Sequence, residues 1–222
     1  EIRQLPGIQY AITSNGAAVN QIKTGEAVYR KVLPPSAAQE ILGRTEREDV
    51  QYEVFVNGAA YAQADYLGLL EGYMMDAYRC AYVRATRRPV PDIRAFIIAH
   101  SKELDSLAVI PRNMTVKARV TKSLREMIGV YITTSSPRLI EINHQDCTKA
   151  AGLRFLSGLL KVPQELTAAF GNGDNDAQML EWAGCGVSVA EGTEICRAAA
   201  DYITGSYLEN GVAQAFRTLW KI

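Results

Sequence analysis

The chain has 222 residues, enough for one large domain or two small ones with a proper core. Lysine plus arginine equals aspartate plus glutamate at 24 each, so no net field draws the chain to nucleic acid or an anionic membrane. Hydrophobic residues at 48% and charged residues at 22% are globular values, and no apolar run approaches the ~18 residues of a membrane span.

Residues 8–13 alternate like a strand and run into the turn Ser14-Asn15-Gly16-Ala17. A second strand is expected at 28–33, and Pro34-Pro35-Ser36 then starts a helix through about Arg44. Residues 50–56 alternate toward Asn57-Gly58, and 59–63 return, a strong hairpin signal. Residues 65–103 read as mixed and largely helical, broken by Arg87-Arg88-Pro89-Val90-Pro91. A short strand is expected at 107–110 and a helix at 114–126. Residues 130–134 and 139–142 read as a hairpin around Ser135-Ser136-Pro137. From Lys149 the period changes. Leu153, Leu156 and Leu160 form a helix face, followed by strands at 166–170, 186–190 and 201–204 with helices after Asp176 and at 193–200. Strict alternation of strand and helix predicts a parallel, doubly wound sheet. The hairpin-rich middle predicts a separate α+β layer. Four cysteines, Cys80, Cys147, Cys185 and Cys196, have no CxxC spacing and fit free thiols in a reducing cytoplasm.

The most informative stretch is 169–180, Ala-Phe-Gly-Asn-Gly-Asp-Asn-Asp-Ala-Gln-Met-Leu. An apolar strand, a glycine-rich polar loop and a helix place ligands at the carboxyl edge of a parallel sheet. Asn172, Asp174, Asn175 and Asp176 are hard oxygen donors, suited to Mg²⁺ rather than zinc. A calcium loop counted from Asn172 would need glycine and glutamate where Ala177 and Ala183 stand, so that reading fails. A dinucleotide fingerprint would need glycine at Asp176, whose carboxylate would repel a pyrophosphate. A plain polar turn capping the next helix stays open, although capping needs one such residue and not four.

Asn15-Gly16-Ala17 after a strand, Lys149 at a helix start, the loop 171–176 with Met179-Leu180 beyond, and Gly211-Val212 together resemble the haloacid dehalogenase superfamily. More narrowly, the chain is similar to its Cof-type sugar-phosphate phosphatases with a large C2 cap. The resemblance is strongest over 139–213 and weak in the cap. It implies an α/β fold, with a doubly wound parallel-sheet core, incomplete at its N-terminus, at 1–23 and 136–222. An inserted α+β cap is implied at 24–135. It also implies Mg²⁺-dependent hydrolysis of a small phosphorylated metabolite by way of an aspartyl-phosphate. Lys149 would neutralise the phosphoryl group, a role suited to a compact point charge. A cation at a helix N-terminus opposes the dipole, so its placement there calls for a compensating anion. Asp176, Asn172 and Asp174 would hold the metal. Asn175 would support the loop, and Asn15 with Gly16 would face the phosphate pocket. The ordinary Asn-Gly turn stays open as a reading of the last pair.

Two departures from the family pattern matter. The family's Asp-x-Asp-Gly-Thr element, carrying the nucleophile and the general acid–base, does not occur in these residues, nor does the Ser or Thr signature that follows it. Two β-α units, about 50 residues at usual element lengths, are missing from the pattern. The 222 residues are therefore expected to be a fragment of a longer reading frame or to follow a mis-assigned start, and to be inactive alone. Asn172 stands where the family has a metal-binding aspartate, which removes one negative charge; Asp174 adds a carboxylate two residues on. An inactive family member that keeps a phosphate pocket is the alternative. Substrate choice in such proteins comes from cap residues closing over the ligand, and Tyr78, Arg87, Arg88 and Arg112 are the candidates. Cys147, two residues before Lys149, is expected to be a buried packing thiol. Oligomeric state is not readable from the sequence.

Overall fold

The protein is described by a computed structural model covering residues 6–136 and 138–221, so Pro137 of the expected hairpin turn lies outside the described residues. The chain divides into two compact units, Glu1–Tyr29 with Thr148–Ile222 (unit 1) and Arg30–Cys147 (unit 2).

Unit 1 opens with β1 (Tyr10–Thr13), which turns through Ser14–Gly16 into antiparallel β2 (Ala18–Gln21). β3 (Ala27–Arg30) lies beside β2, giving a three-stranded sheet in the order β1-β2-β3. A core made of 1–23 and 136–222 implies that the strand at 8–13 joins the sheet of 166–170; among the described residues it lies in a separate sheet. Its ladder is taken up by β2, a strand the sequence reading missed because Ala18–Gln21 has no alternation to mark it.

Unit 2 begins with α1 (Pro35–Arg44), whose proline at the first turn suits a missing N–H and whose Ala37, Ala38, Ile41 and Leu42 form one buried face. The hairpin β4 (Val50–Val56) and β5 (Ala59–Gln63) follows as read, with both Asn57 and Gly58 at positive φ as a tight hairpin turn requires. Next come α2 (Ala77–Thr86), β6 (Arg87–Val90), α3 (Ile93–Ala99), β7 (Leu104–Pro111), α4 (Met114–Leu124), β8 (Val130–Thr133) and β9 (Ile140–His144). The segment read as a break in helical structure at 87–91 is thus strand β6, pairing parallel with β5 at the sheet edge, where Pro89 costs no ladder bond.

The sheet runs β6-β5-β4-β7-β9-β8. One face is apolar. Tyr52, Val54, Leu107, Val109, Ile140 and Ile142 form one core with the buried faces of α1, α3 and α4. On the other face Ala62, Ala108 and Ile110 pack under Tyr66, Leu70, Tyr73, Cys80 and Val83.

Returning to unit 1, α5 (Lys149–Leu160), β10 (Ala168–Gly171), α6 (Ala177–Trp182), β11 (Cys185–Ser188), α7 (Glu194–Ala198), β12 (Tyr202–Ile203) and α8 (Gly211–Ala215) alternate. β10, β11 and β12 are all parallel, as the alternation predicts. A π-turn at Phe216–Trp220 extends α8, and Phe216 stacks on Phe170 of β10 with ring centroids 5.3 Å apart. The class is α/β with a parallel-sheet core, as expected.

The unit boundaries differ from 23/24 and 135/136. β9 hydrogen-bonds to both β7 and β8, so Ile140 and Ile142 enter the core of unit 2 and the division falls after Cys147. Among the described residues no helix is long and apolar enough to cross a membrane.

Candidate active site

The loop after β10 is organised by one carboxylate. Asp176 Oδ2 accepts the backbone N–H groups of Asn172 and Gly173, each at 2.9 Å, and Oδ1 accepts from Lys149 Nζ at 2.5 Å. The Asp176 side chain is only 5% exposed, so this charge is paired and hydrogen-bonded as a buried charge must be. Gly171 makes the fold-back possible: a Cβ there would stand 2.5 Å from the Cβ of Asp176. The Asn172 carbonyl accepts from the Thr193 N–H at 3.0 Å, tying the loop to the start of α7.

Lys149 is the first residue of α5, and Thr148 caps that helix by accepting the Ala151 N–H at 3.1 Å. The cation at a helix N-terminus has the compensating anion that electrostatics demands, namely Asp176. The turn after β1 reaches the same place. Asn15, at φ 54° and ψ 31°, accepts from Asn175 Nδ2 through its Oδ1 at 2.9 Å. Gly16, at φ 95°, approaches so closely that a Cβ would lie 2.0 Å from the Thr148 carbonyl oxygen. Sequence reasoning overlooked Thr148. Its signal was present, since a threonine directly before an apolar-periodic run marks a helix N-cap.

Lys149, Asp176, Asn175, Asn15 and Gly16 are therefore linked through contacts within unit 1. Asp174, partly buried, opens the short turn Asp174–Asp176, and the Asn172 side chain is exposed on the same loop. The donors are of the hard type, but as a metal-ligand set they are incomplete. Both oxygens of Asp176 are engaged, Asn172 is neutral, and among the described residues no cluster of three or more Asp, Glu, His or Cys is placed to hold a metal. These residues alone do not fit Mg²⁺.

The residues expected to choose substrate lie in unit 2 and are not gathered into one group. Arg87 pairs with Glu53 at 2.6 Å and is 10% exposed. The Arg88 guanidinium lies 5.8 Å from the Tyr61 ring centroid, and that of Arg112 lies 4.9 Å from the ring of Tyr73. Tyr78 is exposed. Cys147 is fully buried in unit 2, where burial pushes its thiol up to about 11 and Sγ faces the Lys31 carbonyl at 3.5 Å. It is an inert packing thiol at neutral pH.

Known proteins share this arrangement of chain. The sequence model of the haloacid dehalogenase-like hydrolase family matches residues 1–216. The 5-amino-6-(5-phospho-D-ribitylamino)uracil phosphatase YcsE of Bacillus subtilis is 37% identical over 102 residues, 46% of this chain and 41% of the relative. YitU, a phosphatase of the same description from the same organism, is 27% identical over 219 residues, 95% of this chain and 76% of the relative. The chain thus spans less than half of the first relative and about three quarters of the second. Among solved structures, a haloacid dehalogenase-like hydrolase from B. subtilis superposes with a TM-score of 0.81 at 23% identity, covering 96% of this chain and 80% of that one. A sugar phosphatase of haloacid dehalogenase subclass IIB superposes at 0.76 and 20% identity, covering 97% and 77%. The structural likenesses speak for the fold, and the sequence match covers nearly all of the chain. This protein belongs to the haloacid dehalogenase-like hydrolase family.

Proposed function

We propose that the protein is a Mg²⁺-dependent phosphomonoester hydrolase of the Cof type. Its substrate is a small phosphorylated metabolite, a sugar phosphate or a similar molecule, in the cytoplasm. The observation that carries this reading is the Lys149–Asp176 pair beside the Asn15–Asn175 contact. A phosphoryl group carries charge that must be offset and oxygens that must be oriented. Lys149 supplies a compact positive charge at a helix start, and Asp176, locked by two backbone N–H groups, fixes the ammonium in place. Asn15 and Gly16 present a tight turn whose backbone approaches the start of α5 and leaves no room for a larger side chain. The two relatives named as ribitylaminouracil phosphatases support a phosphate on a polyol chain as the substrate type.

Mg²⁺, when bound, would offset phosphoryl charge; Asn172 and Asp174 are hard donors that could contribute to holding it but are not a complete ligand set by themselves. The nucleophile in this reading is an aspartate of the Asp-x-Asp-Gly-Thr type, which these 222 residues do not contain. One observation favours a second reading, a phosphometabolite-binding module without turnover: Asn172 is neutral and Asp176 is already committed to Lys149.

Hydrolysis of p-nitrophenyl phosphate tests both. Purified 1–222 is expected to give no turnover, and a chain extended upstream by an Asp-x-Asp segment is expected to turn over, with loss of about 100-fold or more in Lys149→Ala. Turnover by 1–222 that vanishes in Asp174→Ala would overturn the assignment of the nucleophile. An extended chain that binds phosphate without cleaving the ester would establish the second reading.

A further inference from the structure

We propose that unit 2 binds a flat, uncharged ring carrying a carbonyl oxygen, on the face of its sheet that lies under α2. Phe55 of β4, Ala60 of β5 and Arg87 of β6 are direct cross-strand neighbours, so their side chains rise on one face. It is the face of Glu53 and Ala62, which stand two residues from Phe55 and Ala60. The Arg87 guanidinium carbon lies 5.2 Å from the Phe55 ring centroid and 5.4 Å from that of Tyr82, which α2 brings to the same place. A cavity of about 440 Å³ opens among these side chains and the Asn57-Gly58 turn, lined only by residues of unit 2. Ala60 leaves space between two larger neighbours. Arg88 borders the cavity, but its guanidinium goes with Tyr61 to the opposite face and takes no part.

Arg87 decides what the cavity accepts. Its side chain is 10% exposed and Nε donates to Glu53 at 2.6 Å, so its charge is already matched. Nη1 donates to Thr86 Oγ1 at 2.9 Å, and that hydroxyl donates to the Tyr82 carbonyl at 2.6 Å. Nη2 has no partner among the described residues and stays open to solvent. The site therefore holds a fixed donor without net charge. Beside it the Tyr82 ring remains 47% exposed.

An anion would bring a second negative charge to a cation that Glu53 already neutralises, and a poorly matched charge is costly to desolvate. A purely apolar ring would cover Tyr82 but leave Nη2 without an acceptor. An uncharged ring with a carbonyl oxygen meets both demands, stacking on Tyr82 and accepting from Nη2.

Titration of the ¹⁵N-labelled 222-residue protein with uracil, followed through amide chemical shifts, tests the inference without resting on the phosphatase reading. Saturable shifts are expected, confined to the cavity-lining segments 55–60 and 82–88. Toluene (ring alone), acetamide (carbonyl alone) and orotate (the same ring with a carboxylate) are each expected to bind more weakly by about threefold or more. Tyr82→Ala is expected to weaken uracil by about tenfold and Tyr82→Phe to preserve it. Arg87→Lys keeps a cation for Glu53 but removes the second terminal nitrogen; it is expected to weaken uracil by about tenfold and leave toluene unchanged. Tyr82 is half-exposed, so Tyr82→Ala should unfold at the parent temperature and keeps the test decisive if Arg87→Lys destabilises the sheet. Lys149→Ala should leave uracil affinity unchanged, which separates this site from the phosphoryl-binding residues. The inference is overturned if no saturable shifts occur or they fall outside these segments, if toluene or orotate binds as tightly as uracil, if Tyr82→Ala is without effect, or if Lys149→Ala weakens binding.

Discussion

Asp176 shows how one side chain can settle a loop and limit its chemistry. With two backbone N–H donors on one oxygen and an ammonium on the other, it is held in a single orientation. That geometry leaves Asp174 as the nearby acidic side chain of the loop and Asn172 as a neutral one. Metal affinity in such sites follows the count of negative ligands. The 222-residue protein is accordingly expected to bind Mg²⁺ more weakly than the micromolar range, and Asn172→Asp is expected to tighten binding by about tenfold or more. Calorimetric titration of both proteins checks this; micromolar affinity in the parent, or no gain in the variant, would remove Asn172 from the metal-binding proposal. The residue types of this site were legible in the sequence because four amide or carboxylate side chains in five positions exceed what a helix cap uses. The pairing of Asn15 with Asn175 was not, since nothing local connects residues 160 apart.

At the scale of elements, the least ordinary feature is a carboxylate inside a sheet. Glu53 of β4 lies opposite Ala62 of β5 and Ala108 of β7, on the face covered by Tyr66 and α2, and is 3% exposed. Arg87 of β6 and the Tyr66 hydroxyl, at 2.6 and 3.1 Å, satisfy its two oxygens. Burial, then the neighbouring Glu53 charge, pushes the Tyr66 phenol well above its usual range, so it remains a donor. Removing one member of such a pair strands the other. Arg87→Ala is expected to cost about 3–5 kcal/mol, while Glu53→Leu with Arg87→Leu should recover most of that loss. Urea unfolding of the parent, single and double variants decides it; a single variant within about 0.5 kcal/mol of the parent would mean the pair is solvated. This pair also explains why β6 was illegible. Two arginines and a proline read as a break, and only tertiary pairing with β5 and Glu53 makes them a strand. α1 and the β4–β5 hairpin were legible because their signals, proline at a helix start and Asn-Gly at a turn, are local.

Across the whole molecule, the insertion of one unit within another was legible as a change of period, but its edges were not. Residues 136–147 carry strand-like patterning that either unit could have claimed, and the ladder of β9 with β7 decides for unit 2. The contact of Asn15 with Asn175 has a consequence for how the chain reaches this state. Joining residues 160 apart costs about 1.6 kcal/mol more loop-closure entropy than joining Lys149 to Asp176, 27 apart, if the intervening chain is unstructured. Unit 2 is contiguous and can condense first, drawing together the two segments of unit 1 that flank it. Both tryptophans, Trp182 and Trp220, lie in unit 1. In stopped-flow refolding, tryptophan fluorescence is therefore expected to lag behind the recovery of far-ultraviolet circular dichroism; coincident traces would show that the units form together. The loop-bridging amide contact would then be among the last native interactions to form, and a nascent chain could not join Asn15 to Asn175 until residue 175 had emerged from the ribosome.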